Sequence, residues 1–142
     1  MNVIELKRII ENQIGIEYSI PILFSQISNE NGLAEYNSQI RNYVSDLPGI
    51  YIIENFDNLE VWYIGMAGKV NQQGNLGNHT LRKRLRASRY KDLETGRDIA
   101  TNKYLLDIMR RQTCNQINIH LIHLREGHLP AYAEAVLLNA FF

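Results

Sequence analysis

Two short runs, LPGIYIIEN and LEVWYIGMA, flank the tripeptide Phe56-Asp57-Asn58. They restrict the possible folds of this chain more than any other feature. Both are rich in β-branched and aromatic residues, which suit a pleated, half-buried surface. The link between them has turn chemistry, so the pair reads as a β-hairpin. Alternate strand residues share a face, which groups Tyr51 with Gly49 and Ile53, and Tyr63 with Val61 and Gly65. Both tyrosines reach one face of an antiparallel pair only where opposed residue numbers add to an even value. A three-residue turn, Phe56 to Asn58, meets that condition and sets Tyr51 opposite Tyr63.

The whole chain has the size and polarity of one packed domain, or of one domain with a substantial N-terminal extension: 142 residues, 45% hydrophobic, three prolines. Fifteen basic and fifteen acidic side chains leave no net charge. A nucleic-acid surface would therefore have to come from local clustering rather than bulk charge. Cys114 is the sole cysteine, which excludes an internal disulfide and a thiolate-rich zinc site. The opening MNVIELKRIIENQ carries charges throughout, and no run is long and apolar enough to span a bilayer. The expectation is a soluble, cytoplasmic protein without a membrane partner.

Val3, Leu6, Ile9 and Ile10 repeat at helical spacing over residues 2–13, and Leu33, Ile40, Tyr43, Val44 and Leu47 mark a second helix stopped by Pro48. Between them EYSIPILFSQIS is apolar but irregular, and Pro21 argues against a central strand. Beyond Gly65 a glycine- and asparagine-rich stretch to His79 reads as a loop, which could cradle phosphate or simply cover the surface. A helix is expected from Asp98, with Asn102, Leu105, Leu106 and Met109 inward. INIHLIHL then alternates as a third strand, leaving His120 and His123 on opposite faces as surface or edge histidines rather than a chelating pair. Pro130 opens a last helix, PAYAEAVLLNAFF.

Two charged residues stand where an amphipathic helix wants apolar ones. In TLRKRLRASRY, with Thr80 as N-cap, Arg84 shares a face with Leu81, Leu85 and Ser88, while Arg82, Arg86 and Arg89 line another. A buried guanidinium is costly unless it meets an anion, either a carboxylate of this chain or a bound phosphate. The Arg82, Arg86 and Arg89 stripe, with Lys83 and Lys69 nearby, is a phosphate-contacting surface or a solvated helix face. In the last helix Glu134 falls with Leu137, Leu138 and Phe141. It could pair with Arg84 or ligate a hard divalent cation.

The tripeptides Gly49-Ile50-Tyr51 and Tyr63-Ile64-Gly65, with eleven residues between the tyrosines, resemble the hallmark of the GIY-YIG nuclease family. The resemblance covers residues 48–142 and leaves 1–47 as an extension of unassigned role. It implies an α+β fold of α/β/α type. A small, mostly antiparallel three-stranded sheet, near 49–54, 60–66 and 117–124, would be flanked by helices behind a helical N-terminal extension. It also implies a metal-dependent endonuclease hydrolysing DNA, with Tyr51, Tyr63, Arg84 and Glu134 as catalytic residues. Glu134 would be the protein ligand of one Mg2+ or Mn2+, and Arg82, Lys83, Arg86, Arg89 and Lys69 would contact DNA. Two departures stand out. Ser88 occupies the position of a histidine or tyrosine thought to relay a proton, for which His79, Lys69 or Tyr63 could substitute. The late asparagine has no counterpart, since Asn139 lies too close to Glu134, so this part of the site is truncated or absent. The alternative is an inactive nucleic-acid-binding module on the same scaffold.

Overall fold

The computed structural model describes residues 2–11, 14–28, 32–44, 46–68, 80–86, 90–91, 95–124 and 130–141. In chain order these form α1 (Val3–Ile9), β1 (Ile14–Leu23), α2 (Phe24–Ile27), α3 (Gly32–Tyr43), β2 (Gly49–Asn55) and β3 (Glu60–Ala67). There follow α4 (Leu81–Arg86), β4 (Tyr90–Lys91), β5 (Asp98–Ile99), α5 (Thr101–Arg111), β6 (Gln116–Leu124) and α6 (Pro130–Phe141). The fold is α+β. A four-stranded antiparallel sheet runs in the order β1-β6-β2-β3, and β4 with β5 make a separate two-stranded ribbon.

The three expected strands lie within about a residue of their predicted bounds. The fourth, β1, corrects the three-stranded expectation. Proline cannot donate to a ladder, which argued against a central strand, but β1 is an edge strand that pairs with β6 alone. An edge strand tolerates proline when the missing donor faces away from its neighbour. The helix expected from Asp98 starts instead at Thr101, because Asp98 and Ile99 pair with Lys91 and Tyr90. Its buried face, including Asn102, Leu105, Leu106 and Met109, is the one expected.

Helices cover both faces of the sheet. On one, Ile20, Ile22, Tyr51, Ile53, Ile117, Ile119 and Leu121 pack with Ile27, Tyr36, Ile40, Val44, Leu81, Leu85, Leu105 and Met109 from α2 to α5. On the other, Ile50, Ile52, Val61, Ile64 and Ile122 pack with Val3, Leu6 and Ile10 of the first helix and Ala133 and Leu137 of α6. The first 47 residues thus supply a sheet strand and parts of both cores. Tyr43 and Leu47, expected inward, are exposed. The inward face of α3 is Tyr36, Ile40 and Val44, one residue every four, and the Tyr36 hydroxyl donates to the Leu85 carbonyl at 2.9 Å.

The histidines face opposite ways as expected, but neither is at the surface. A strand sandwiched between helices buries both of its faces, whatever its alternation. His120 Nε2 meets Glu54 Oε1 at 3.0 Å beneath the α1/α6 side, leaving Nδ1 without a partner among the described residues. His123 is held by Pro48 and Tyr18 on the other side. The Pro48 carbonyl can only accept, so Nδ1 carries the proton there, and in the neutral ring Nε2 accepts from the Tyr18 hydroxyl. Among the described residues no helix is long and apolar enough to cross a membrane.

Candidate active site

The hairpin reaches the expected common face for its tyrosines by a different route. Its turn is four residues long, 56–59, closed by Leu59 N–H on the Asn55 carbonyl at 2.7 Å, with Leu59 in the left-handed region at φ 62°. Asn55 pairs with Glu60 and Glu54 with Val61. Continued regularly, that register would turn Tyr63 away from Tyr51. Trp62 breaks it as an extra residue, and beyond it Ile53 pairs with Tyr63 and Tyr51 with Gly65. The bulge re-aims the strand by one residue. The tyrosines are therefore diagonal rather than opposed, and their rings stack with centroids 5.6 Å apart and planes 25° apart.

Both tripeptide glycines sit at close approaches that a side chain would block. A Cβ on Gly65 would overlap the Tyr51 ring, with the phenol oxygen 2.6 Å away. A Cβ on Gly49 would collide with the Ile122 carbonyl oxygen and come within 2.9 Å of Leu81 Cδ1. Tyr51 thus lies flat over Gly65 and is 2% exposed, whereas Tyr63 is 39% exposed and forms the solvent side of the stack. A third tyrosine, Tyr104 of α5, lies close enough to Tyr63 for two phenolates to repel. Burial first, and Tyr63 second, push its phenol above the ordinary tyrosine value. Its place beside the inward residue Leu105 is the one sequence signal that marks it.

Thr80 caps α4 as expected. Its hydroxyl oxygen accepts from Lys83 N–H at 3.3 Å and its own proton goes to Asp46 Oδ1 at 2.5 Å. This fixes the rotation of the helix, with Leu81 and Leu85 fully buried. Arg84 is half-buried, and its Nε donates to the Met66 carbonyl of β3 at 3.1 Å. Among the described residues no ion pair joins it to Glu134. The Met66 carbonyl satisfies one N–H of the guanidinium.

Arg82, Lys83 and Arg86 line a cleft of about 390 Å³ with Asn37 and Asp46. Arg82 is not a purely solvated member of that stripe. Its Nε donates to the Val44 carbonyl at 2.8 Å, at the C-terminal end of α3. Glu134 is half-buried and shares a recess with Trp62, Tyr63, Ile64, Leu138 and Phe141. Arg84 and Glu134 thus approach β3 from opposite faces of the sheet, one at Met66 and the other beside Tyr63. Lys69, His79, Ser88 and Arg89 lie outside the described residues.

The other polar candidates have no part in this constellation. Cys114 is buried, its Sγ donating to the Gln116 carbonyl at 3.1 Å, and burial above all pushes its thiol up. A thiol so placed is a poor nucleophile. Among the described residues no three histidine, cysteine or carboxylate side chains gather as a metal cage. Compared with protein-family models, curated proteins and solved structures, the chain matches none.

Proposed function

We propose that the chain is a metal-dependent endonuclease of GIY-YIG type that hydrolyses DNA phosphodiester bonds. The observation that carries this reading is the Tyr51–Tyr63 stack over Gly65, with Glu134 in the recess beside Tyr63. One half-buried carboxylate, with no acidic cage around it among the described residues, suits Mg2+ or Mn2+. Such ions keep several waters and complete their shell with substrate phosphate oxygens. Glu134 would hold the ion, whose contribution is to polarise the phosphate and favour ionised water.

The chain's own residues do the rest. Tyr63, the exposed member of the stack, orients the attacking water and takes part in its deprotonation. Tyr51 lies beneath and fixes the ring of Tyr63. Water reaches Tyr63 far more readily than Tyr51. Arg84, held at the Met66 carbonyl on the face of the sheet opposite Glu134, would meet the same phosphate only at the β3 edge, where its terminal nitrogens would face the non-bridging oxygens as negative charge builds up. Lys83 and Arg86 contact flanking phosphates.

The test is cleavage of supercoiled plasmid with Mg2+ or Mn2+, comparing the native chain with Glu134→Ala. Metal-dependent nicking is expected, falling at least about a hundredfold in the variant. Cleavage that survives both the substitution and a chelator overturns the metal role of Glu134. Tight DNA binding with no cleavage under any divalent metal favours the binding-module reading instead.

A further inference from the structure

The β1 border of the sheet carries a groove that the hydrolytic site does not use. A cavity of about 620 Å³ runs along it, at the opposite end of the strand order from the border where the tyrosines stack. Tyr18 and Ile20 face the α2–α5 side of the sheet, and on that same side Gln26 of α2 with Gln39 and Tyr43 of α3 wall the cavity. Gln116 borders it too, but its amide goes to Asn118 on the other face. The outer edge of β1 completes the groove. Phe24 N–H reaches the Asn115 carbonyl at 2.7 Å, so the alternate residues Ile22, Ile20 and Tyr18 bond β6, and Ser19 and Pro21 turn their carbonyls outward.

The wall chemistry defines the ligand. None of the described residues that line the groove is charged, so a phosphate or carboxylate entering it would lose its hydration without a partner. The Tyr18 ring is held by its hydroxyl on His123 Nε2 at 3.3 Å, whereas the Tyr43 ring stands 69% exposed at the mouth. Gln26 spends its amide oxygen on Leu23 N–H at 3.4 Å and keeps its nitrogen, and the Gln39 amide makes no hydrogen bond among the described residues. We propose that this groove binds an uncharged nucleobase or nucleoside, its ring flat on Tyr43 and its polar edge met by the Gln26 and Gln39 amides and the outward strand carbonyls. The cavity falls within the roughly 300–1,000 Å³ of small-ligand sites. A purely aliphatic ligand would leave those amides and carbonyls dry, and a nucleic-acid strand would bring phosphates to a wall that has no cation. The inference does not depend on the nuclease reading.

The test is a titration of the full chain, labelled with 15N, in which NMR follows the glutamine side-chain amides. The probes are thymidine, adenosine, thymidine 5′-monophosphate and a short oligothymidylate. Saturable shifts of the Gln26 and Gln39 amides are expected with a nucleoside, and weaker binding with the monophosphate. Tyr43→Ala, at an exposed position that leaves the core intact, should lower nucleoside affinity about tenfold, the loss of one stacking partner. Amides that stay in place with both nucleosides up to millimolar concentration overturn the proposal, as does a Tyr43→Ala chain that binds like the native one. Equal affinity for thymidine and its monophosphate would overturn the uncharged character of the ligand. Shifts caused by the oligothymidylate and by neither nucleoside would give the groove to a nucleic-acid strand instead of a free ligand. Plasmid cleavage, present or absent, bears on the tyrosine site alone, since no residue of this groove belongs to it.

Discussion

At the scale of the residue, the two glycines of the tripeptides and the two tyrosines form one object. Tyr51 lies flat because position 65 has no side chain, and Tyr63 stacks because Tyr51 lies flat. Gly65→Ala removes some backbone freedom from the unfolded chain, which favours folding by a few tenths to about 1 kcal/mol. The new Cβ displaces the Tyr51 ring, which costs about 1–3 kcal/mol as overpacking does. The net expectation is a loss of about 1–2 kcal/mol in urea unfolding. Cleavage should fall further than that fraction unfolded explains. A Gly65→Ala chain of native stability and full activity would detach Gly65 from the tyrosines. The tripeptides and the misplaced charges at Arg84 and Glu134 were legible from residue type and spacing alone. Their partners were not. The Met66 carbonyl that Arg84 meets belongs to the backbone, which every residue has and no pattern marks.

At the scale of the element, α4 does two jobs with neighbouring arginines. Arg82 reaches the last carbonyls of α3, and Arg86 stays exposed in the cleft they share. Removing the first unties one helix from another, and removing the second removes only charge. Arg82→Ala should cost about 1–2 kcal/mol of stability, the worth of a charge-assisted bond to a helix end. Arg86→Ala should stay within about 0.5 kcal/mol, yet lower the salt slope of DNA binding by about one phosphate contact. Urea unfolding beside binding across a salt series separates them, and equal stability losses would refute the assignment. Sequence periodicity put both arginines on one stripe because it registers the angle around a helix, not what stands opposite. The hairpin held a similar limit. Alternation identified the shared tyrosine face, but a four-residue turn and a bulge compensate one another, and neither is visible without the other.

At the scale of the whole molecule, the N-terminal segment is built into the fold. Ile20 and Ile22 of β1 and Tyr36, Ile40 and Val44 around α3 share a core with Tyr51 and Leu81, while Val3, Leu6 and Ile10 share the other with Ile50 and Ile52. A fragment of residues 48–142 would expose the β6 edge and both of these surfaces. It should show no cooperative thermal transition, and a fragment that melts sharply near the native midpoint would mark the first 47 residues as a detachable unit. Sequence reading separated the segment because it carries no chemistry of its own, and because Pro21 hid the strand that joins it to the sheet. The burial of His120 and His123 was hidden for a related reason: alternation says which way a side chain points, and only the layers say whether anything covers it.

The two ends of the sheet share a property with a bearing on how the protein behaves when concentrated. Pro21 interrupts the donors along β1, and the bulge at Trp62 interrupts the spacing of β3. A neighbouring molecule that tried to lengthen the sheet would find one ladder with a missing rung and the other with an uneven one. Neither border templates a long, straight strand, so fibril growth from the native state has no ready starting edge. Pro21→Val restores the donor and favours an extended backbone. It should leave the monomer as stable within about 1 kcal/mol while shortening the lag before thioflavin-positive fibrils appear on agitation. A lag indistinguishable from the native chain's would mean that the β1 border is guarded by something other than its proline.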